Sequence, residues 1–593
     1  MCGIIGYSSN LNNQTQVANK IITGLKTMEY RGYDSWGVAL TTDHGIFIDK
    51  KTGQITGLAA KNKKPSLLGI GHTRWATHGG VTKNNAHPHL SIDGRFAVVQ
   101  NGIVENFLPL KDQLKKLGYK FTTQTDTEVI VHLLHYQLQQ TKDLRVAVSQ
   151  TFLQLTGRNT FVVLDKLTET IIAVRQGSPL VVGVGRQEVY LASDTMPLLG
   201  NVPELIYVLD GQLVEISHGN VQLFAVKTGK KLNFKKHLLT QQAEKIDKDG
   251  FPHFMVKEIF EQQHTVIEAA SYSEQDFSKL VNKIKMADKV YTLGAGTAAF
   301  AAGQIARFLR TVRINAFELK AYESANYLPL ITQKDLVIAV SQSGETADTL
   351  AVIEQLKEKQ VEVASIVNMV GSTLTRFSDY QFFSRSGPEI CVASTKAYTS
   401  QLVWGYLLAQ TVMGKYDQAQ QNIRQLADQL QAYFSDHHHQ TVFKKLAQQL
   451  ANQEHVFVLG KNQHFYTALE GALKVKEISY KHFEGFSAGE LKHGVIALIE
   501  KGTFVIGIVG GDIQEQHEVI SALAEVKARG AKVVGIAQEN NDFFDVHLVA
   551  PELGELDPIT KVIPFQLLAY YLAIKLGNDP DKPRNLAKSV TVK

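Results

Sequence analysis

Val290-Tyr291-Thr292-Leu293-Gly294 recurs 166 residues later as Val456-Phe457-Val458-Leu459-Gly460, and each run leads into a segment with helical spacing. Two more strands follow in the same order in each half: Leu336-Val337-Ile338-Ala339-Val340 answers to Phe504-Val505-Ile506-Gly507-Ile508, and Val363-Ala364-Ser365-Ile366-Val367 to Lys532-Val533-Val534-Gly535-Ile536. Continuous apolar strands separated by helices belong to parallel sheets covered on both faces. Three matches in the same order predict two copies of one doubly wound domain, over residues 251–430 and 431–577. Ligands in such sheets sit outside the carboxyl ends of the strands. The Gln-rich, helically periodic stretch 416–433 is expected to bridge the copies. Pro580 and Pro583 stop the last helix and predict an extended tail over 578–593.

Upstream the pattern changes. Residues 4–225 read as short strands, such as Phe96-Ala97-Val98-Val99 and Thr170-Ile171-Ile172-Ala173-Val174, set between Gly, Asp and Asn turns, with helical spacing at 16–28 and 127–138. The expected architecture is an α+β domain over 1–240, sheet-rich with covering helices. A polar stretch with seven lysines, 227–250, reads as a solvated linker, and the boundary falls at 241–250.

With 44% hydrophobic and 20% charged residues in 593, the chain has the composition of a globular protein of several domains. A net charge of +5 is too small at this length to argue for nucleic acid or a membrane surface. Cys2 and Cys391 are the only cysteines, so no disulfide framework is available, and the start has no charged-then-apolar leader pattern. The best apolar run, 402–413, is too short to span a bilayer. A cytoplasmic location is the expectation.

Cys2 precedes Gly3-Ile4-Ile5-Gly6, so loss of Met1 would leave a thiol and a free α-amine on one residue. Such an amine titrates near ~7.7–8.0 and can serve the thiol as its base; the plainer reading is that Cys2 merely begins a strand. Arg74 in His72-Thr73-Arg74-Trp75-Ala76-Thr77-His78-Gly79 can fork onto a carboxylate. Asn101-Gly102 offers an amide and a close backbone approach, or is simply a turn. Asp126 could bind an ammonium, or cap a helix. These strings, with Tyr30-Arg31-Gly32-Tyr33-Asp34-Ser35 and Asn85-Ala86-His87-Pro88, resemble the glutaminase domain of the N-terminal-nucleophile glutamine amidotransferases. The resemblance implies an αββα sandwich in which Cys2 attacks the glutamine amide and Asn101 and Gly102 form the oxyanion hole. It also implies that Arg74, Trp75, Thr77, His78 and Asp126 bind glutamine.

In the repeated region, Ser341-Gln342-Ser343-Gly344-Glu345-Thr346 follows a strand. It could cradle a phosphate with hydroxyls and helix-start N–H groups, or be an ordinary capped turn. Ala393-Ser394-Thr395 is a second polar turn. Glu470, Lys474 and Glu477 share one helix face, as a solvated ion-pair ladder or as proton-shuttling groups. His493 lies in a Gly-flanked loop, and histidine is the residue type suited to acid–base catalysis at physiological pH. Lys588 sits in the tail, where an amine is ordinarily solvated but could form an imine with a ketose. Together these strings resemble the isomerase half of the glutamine:fructose-6-phosphate aminotransferases, whose two sugar-isomerase (SIS) domains follow the same glutaminase domain.

That resemblance implies conversion of fructose 6-phosphate and glutamine to glucosamine 6-phosphate and glutamate, the first step toward UDP-N-acetylglucosamine, with ammonia channelled past Trp75 and no metal or organic cofactor. It implies that Ser341, Gln342, Ser343 and Thr346 hold the phosphate and that Thr297, Val392 and Ala587 line the sugar. His493, reaching in from the partner of a homodimer, would open the ring. Lys588 would form the imine, and Glu477, helped by Lys474, would move the proton between C1 and C2. A related transferase or deglycase for another sugar phosphate, or a non-catalytic sensor, is the alternative. Trp36, Gln100, Arg158-Asn159, Ala295, Ala298 and Val495 depart from the usual pattern. His437-His438-His439 reads as solvated rather than metal-binding, and Cys391 as a packed thiol.

Overall fold

The computed structural model describes residues 2–9, 17–55, 66–239 and 247–591. Met1, Gln16 and Lys245 lie outside them. Two compact units emerge, residues 1–245 with 589–593, and residues 246–588.

The first unit stacks two antiparallel sheets. One has eight strands, with Gly3–Ser9 between Glu188–Ala192 and Leu68–Arg74; the other has seven, with Phe96–Gly102 beside Asn159–Asp165. Alternation along each strand sets the layers. Ile4, Ala97, Val99 and Val162 fill the space between the sheets. Ile5 faces the helix Val17–Thr27, and Val98 and Phe161 face the helices that cover the second sheet. The result is the αββα sandwich. The lysine-rich stretch is only partly a linker: Lys231–Leu232 pairs with Asn220–Ala225, and His237–Leu238 pairs with Glu204–Tyr207, so it closes one edge of each sheet. Two-residue polar edge strands carry no periodicity to read.

The second unit holds two five-stranded parallel sheets. Ala316–Lys320, Val290–Gly294, Leu336–Ser341, Glu362–Val367 and Tyr380–Phe383 lie side by side in that order; His482–Ser487, His455–Gly460, Phe504–Ile508, Lys532–Ala537 and Val546–Val549 repeat it. In sequence order each sheet runs 2-1-3-4-5, which puts its topological switch point between the first and third strands. The apolar runs are explained by burial on both faces: Ile338 and Val340 pack to one side and Val337 and Ala339 to the other. Each such side chain contributes about 1.5–3 kcal/mol. The helix Tyr416–Ser435 follows the first copy, and one continuous core runs from Ile305, Trp404 and Leu430 to Phe443, Phe483 and Leu568 of the second. Cys391 is fully buried, as read. His437 and His438 are exposed in the first turn of His437–Leu450, where the Asp436 carboxylate accepts the His438 N–H (2.8 Å). Among the described residues no helix is long and apolar enough to cross a membrane.

Candidate active site

Cys2 immediately precedes its strand, half-buried. The register sets Gly3 opposite Thr73, which brings the sulfur to Trp75: the Trp75 N–H points at Sγ (3.3 Å) and the thiol toward the Trp75 carbonyl (3.6 Å). Residue 3 must be glycine, since a Cβ there would lie 2.6 Å from Thr73 Oγ1. Asn101 Nδ2 donates to the Cys2 carbonyl at 3.0 Å, and Asn101 Oδ1 is buried without a hydrogen bond. Asn101 and Gly102 are not a turn but the last two residues of Phe96–Gly102. Gly102 has φ +139°, and a Cβ would meet Arg158 O at 2.0 Å, so only glycine fits. Burial pushes the Cys2 thiol up, with the Trp75 N–H and Arg74 among the groups opposing it.

Arg74 is buried, and its Nη1 and Nη2 donate to the carbonyls of His78, Gly79 (3.3 Å) and Gly80 (3.2 Å), so it shapes the loop carrying exposed Thr77 and half-buried His78. Asp126 lies within electrostatic reach of Arg74 and His78. It is not a helix cap by its side chain; its carboxylate accepts the Val104 N–H at 2.8 Å, and burial raises its pKa.

In the second unit Thr297 opens the helix after Val290–Gly294, and Ser341 ends the neighbouring strand Leu336–Ser341, so both lie at the first copy's switch point. Ser341 Oγ accepts the Gly344 N–H (2.9 Å) and Ser343 Oγ the Glu345 N–H (3.1 Å), while Thr346 stands at the cap of Ala347–Glu358 without a side-chain cap bond. Gln342 and Thr346 are half-buried beside them. The two serine hydroxyls thus hold the loop's shape.

The charged ladder is not solvated. Lys474 is fully buried on Phe465–Ser479, 2.7 Å from Glu477 and 3.3 Å from Glu470, and donates to Thr297 Oγ1 at 3.0 Å. Its carboxylates hold the ammonium well above the usual lysine range against burial, and burial pushes Glu470 up to about 8 despite Lys474. Helix Phe465–Ser479 therefore delivers charge to the first copy's strand ends.

Lys588 is equally unlike a solvated tail residue: its side chain is 2% exposed, bonded to Glu389 and to the Cys391 carbonyl (2.7 Å). The tail is docked rather than free, with the Asp581 carboxylate on the N–H groups of Phe254 and Met255 (2.9 and 2.8 Å) and its carbonyl on Val392 N (3.1 Å). Ala587 precedes Lys588 in sequence, and Val392 follows Cys391, whose carbonyl accepts from the Lys588 amine. His493 is not brought to these groups by this chain; it is exposed at the end of Ala488–His493, with no hydrogen bond among the described residues. Sequence reading passed over Glu389, which is bonded to Lys588, and Glu258, which lies within its electrostatic reach. Neither stands in a spacing that marks a site; only the fold joins residues 258, 389 and 588.

Fold and side chains define a glutamine amidotransferase joined in one polypeptide to paired sugar-isomerase domains. Residues 72–200 match the glutamine amidotransferase domain family, and residues 283–411 and 449–576 the SIS domain family. The chain is 40% identical over 610 residues to the glutamine–fructose-6-phosphate aminotransferase (isomerizing) of Pyrococcus horikoshii, and 39% identical over 611 to that of Thermococcus kodakarensis, covering 100% of each chain. Among solved structures it resembles the C-terminal domain of glucosamine-fructose-6-phosphate aminotransferase from Francisella tularensis, at 30% identity and a TM-score of 0.51, over 57% of this chain and 100% of that one. The chain belongs to the glutamine–fructose-6-phosphate aminotransferase (isomerizing) family.

Proposed function

We infer that the protein transfers the amide nitrogen of L-glutamine to D-fructose 6-phosphate, forming D-glucosamine 6-phosphate and L-glutamate. The observation that carries this reading is the presence, on one chain, of Cys2, with its thiol against the Trp75 backbone and its carbonyl bonded by Asn101, and a buried lysine between carboxylates at a sugar-isomerase switch point. Cys2 attacks the glutamine amide carbon, and its own α-amine, freed by loss of Met1, takes and returns the proton. The Asn101 amide and the Gly102 N–H receive the oxyanion. Arg74 and Asp126 bind the α-carboxylate and ammonium, with Trp75, Thr77 and His78 closing the pocket.

At the sugar site the loop of Ser341, Gln342, Ser343 and Thr346 binds the phosphate, and Thr297, Val392 and Ala587 line the ketose. Lys588 condenses with the open-chain carbonyl. Glu477 moves the proton between C1 and C2, with Lys474 stabilising the charge that develops on oxygen. Three measurements test the assignment. Cys2→Ala is expected to abolish glutamine hydrolysis while sparing sugar-phosphate isomerisation, and Lys588→Ala to stop amino-sugar formation; full synthase activity in both variants sinks it. The mature N-terminal mass is expected to lack Met1.

His493 acts on the ring from a second copy of the chain. Its support is that His493 is exposed. In a symmetric dimer, mixing His493→Ala and Lys588→Ala chains restores roughly a quarter of parental activity, because half the dimers are mixed and each carries one intact site. No restoration after verified subunit exchange means that the histidine does not cross.

A further inference from the structure

Imine formation needs a free amine, yet the Lys588 side chain is buried against a carboxylate. Glu389 contacts Nζ through Oε2, which also accepts the Ser394 hydroxyl (3.0 Å). Its Oε1 accepts the N–H groups of Thr395 (2.9 Å) and Ala397 (3.0 Å) at the start of the helix Lys396–Val412. Behind it stands a second buried carboxyl, Glu258, from the helix Phe254–Phe260. Its Oε1 accepts the N–H groups of Ile390 (2.5 Å) and Cys391 (3.2 Å), and its Oε2 is buried with no hydrogen-bond partner among the described residues. Of the other charges nearby, Lys396 is paired with Glu261 at 2.7 Å, and Asp581 is held by the backbone of Phe254 and Met255. Two buried carboxyls, Glu389 in contact with the Lys588 ammonium and Glu258 bonded to the backbone of residues 390 and 391 behind it, thus share the field of Lys588, with Lys396 also acting on Glu258.

We propose that Glu389 is the acid–base residue for the condensation at Lys588, and that Glu258 is a positioning residue that carries the pair's one proton and keeps Glu389 the ionised member. This rests on the reading of Lys588 as the imine-forming amine. The charges fit it: burial and then Glu389 push Glu258 up to about 8, while Glu389, raised by burial, is brought below its usual value by Lys588 and the N–H groups. The step balances. The Lys588 ammonium gives one proton to Glu389, and the amine adds to the ketone carbon as the carbonyl π pair moves to oxygen. The resulting alkoxide takes a proton from the nitrogen. The hydroxyl then takes the Glu389 proton and leaves as water, and the nitrogen pair forms C=N. Ketone and ammonium become iminium and water, and Glu389 ends ionised as it began.

The test is borohydride trapping of the adduct with fructose 6-phosphate, read by the mass of the Lys588 peptide on the full-length chain. Glu389→Gln is expected to slow trapping by about 10²-fold or more with an unchanged Kd for the sugar phosphate, and Glu389→Asp to recover part of the loss. Glu258→Gln, which mimics the protonated acid, is expected to trap within a few-fold of the parent at pH 7 while losing the parent's rate change near pH 8. Trapping by Glu389→Gln as fast as the parent or faster, as a resting clamp on the amine would give, overturns the proposal. So does a pH profile unaltered in Glu258→Gln, which stands even if the Glu389 variant does not fold. An adduct that still forms in Lys588→Ala overturns instead the assignment of the amine, and is recognised by its different peptide.

Discussion

Gln100 and Asn159 departed from the family pattern separately in the sequence, 59 positions apart, and the structure shows them as one arrangement. Gln100 Nε2 donates to Asn159 Oδ1 at 2.7 Å, and Gln100 Oε1 accepts the Thr127 hydroxyl at 2.5 Å. The Gln100 backbone is held between His72 Nε2 and His87 Nδ1. The residue before Asn101 is thus pinned on four sides, and a double-mutant cycle of Gln100→Ala and Asn159→Ala should return a coupling of about 1 kcal/mol in denaturant midpoints, the range for buried hydrogen-bonded neighbours; additive effects would mean the two do not act together. Asn101→Ala itself is expected to lower glutamine turnover by about 10²–10³-fold with little change in KM. Candidates of this kind could be picked out of the sequence at Cys2, Arg74 and Asn101, where the residue type itself suggests a chemistry. Glu258 and Glu389 were illegible, because ordinary acids acquire a role only from what the fold sets beside them.

Among elements, the strands of the two sugar-isomerase copies were readable because burial on both faces writes itself as an unbroken apolar run; Thr170–Val174 of the first unit was read with the same bounds. The turn reading of Asn101-Gly102 failed since a strand that ends in a required glycine looks locally like a turn. Two elements carry their own predictions. The strand Leu68–Arg74 and the segment 87–90 bury His72, His87 and His89 in contact, rings 4.2 and 4.8 Å apart, and burial drives His72 and His89 to about 3 and His87 well below the usual range. Unfolded histidines titrate near ~6.5, so the unfolded chain binds more protons than the folded one between that value and the folded pKa. Their contribution to stability is complete above pH 6.5 and is lost as pH falls toward 3. Urea midpoints of the first unit should fall from pH 7 to pH 5; equal midpoints would contradict the burial. On the helix Phe465–Ser479, Lys474→Met leaves Glu470 and Glu477 facing one another, and should cost about 3–5 kcal/mol, partly recovered by adding Glu470→Gln.

For the whole molecule, the repeat was visible in the sequence, but the inequality of its copies was not. Where the first copy has Ser341-Gln342-Ser343, the second follows its third strand with Val509-Gly510-Gly511. A Cβ on Gly510 would lie 2.7 Å from His464 Nε2 and 3.3 Å from both Asp557 Oδ2 and Lys561 Cε, so these side chains pack against the turn that answers to the serine loop. Calorimetry should therefore find one sugar phosphate per chain, removed by Ser341→Ala with Ser343→Ala; two equivalents would show that the second copy binds as well.

The continuous core across both copies bears on how the polypeptide comes apart. Lys415 lies exposed in the short connection between the helices Lys396–Val412 and Tyr416–Ser435. A protease that nicks there severs the backbone without uncovering the apolar surface that holds the fragments, so the pieces should separate in denaturing gels yet elute together from a sizing column.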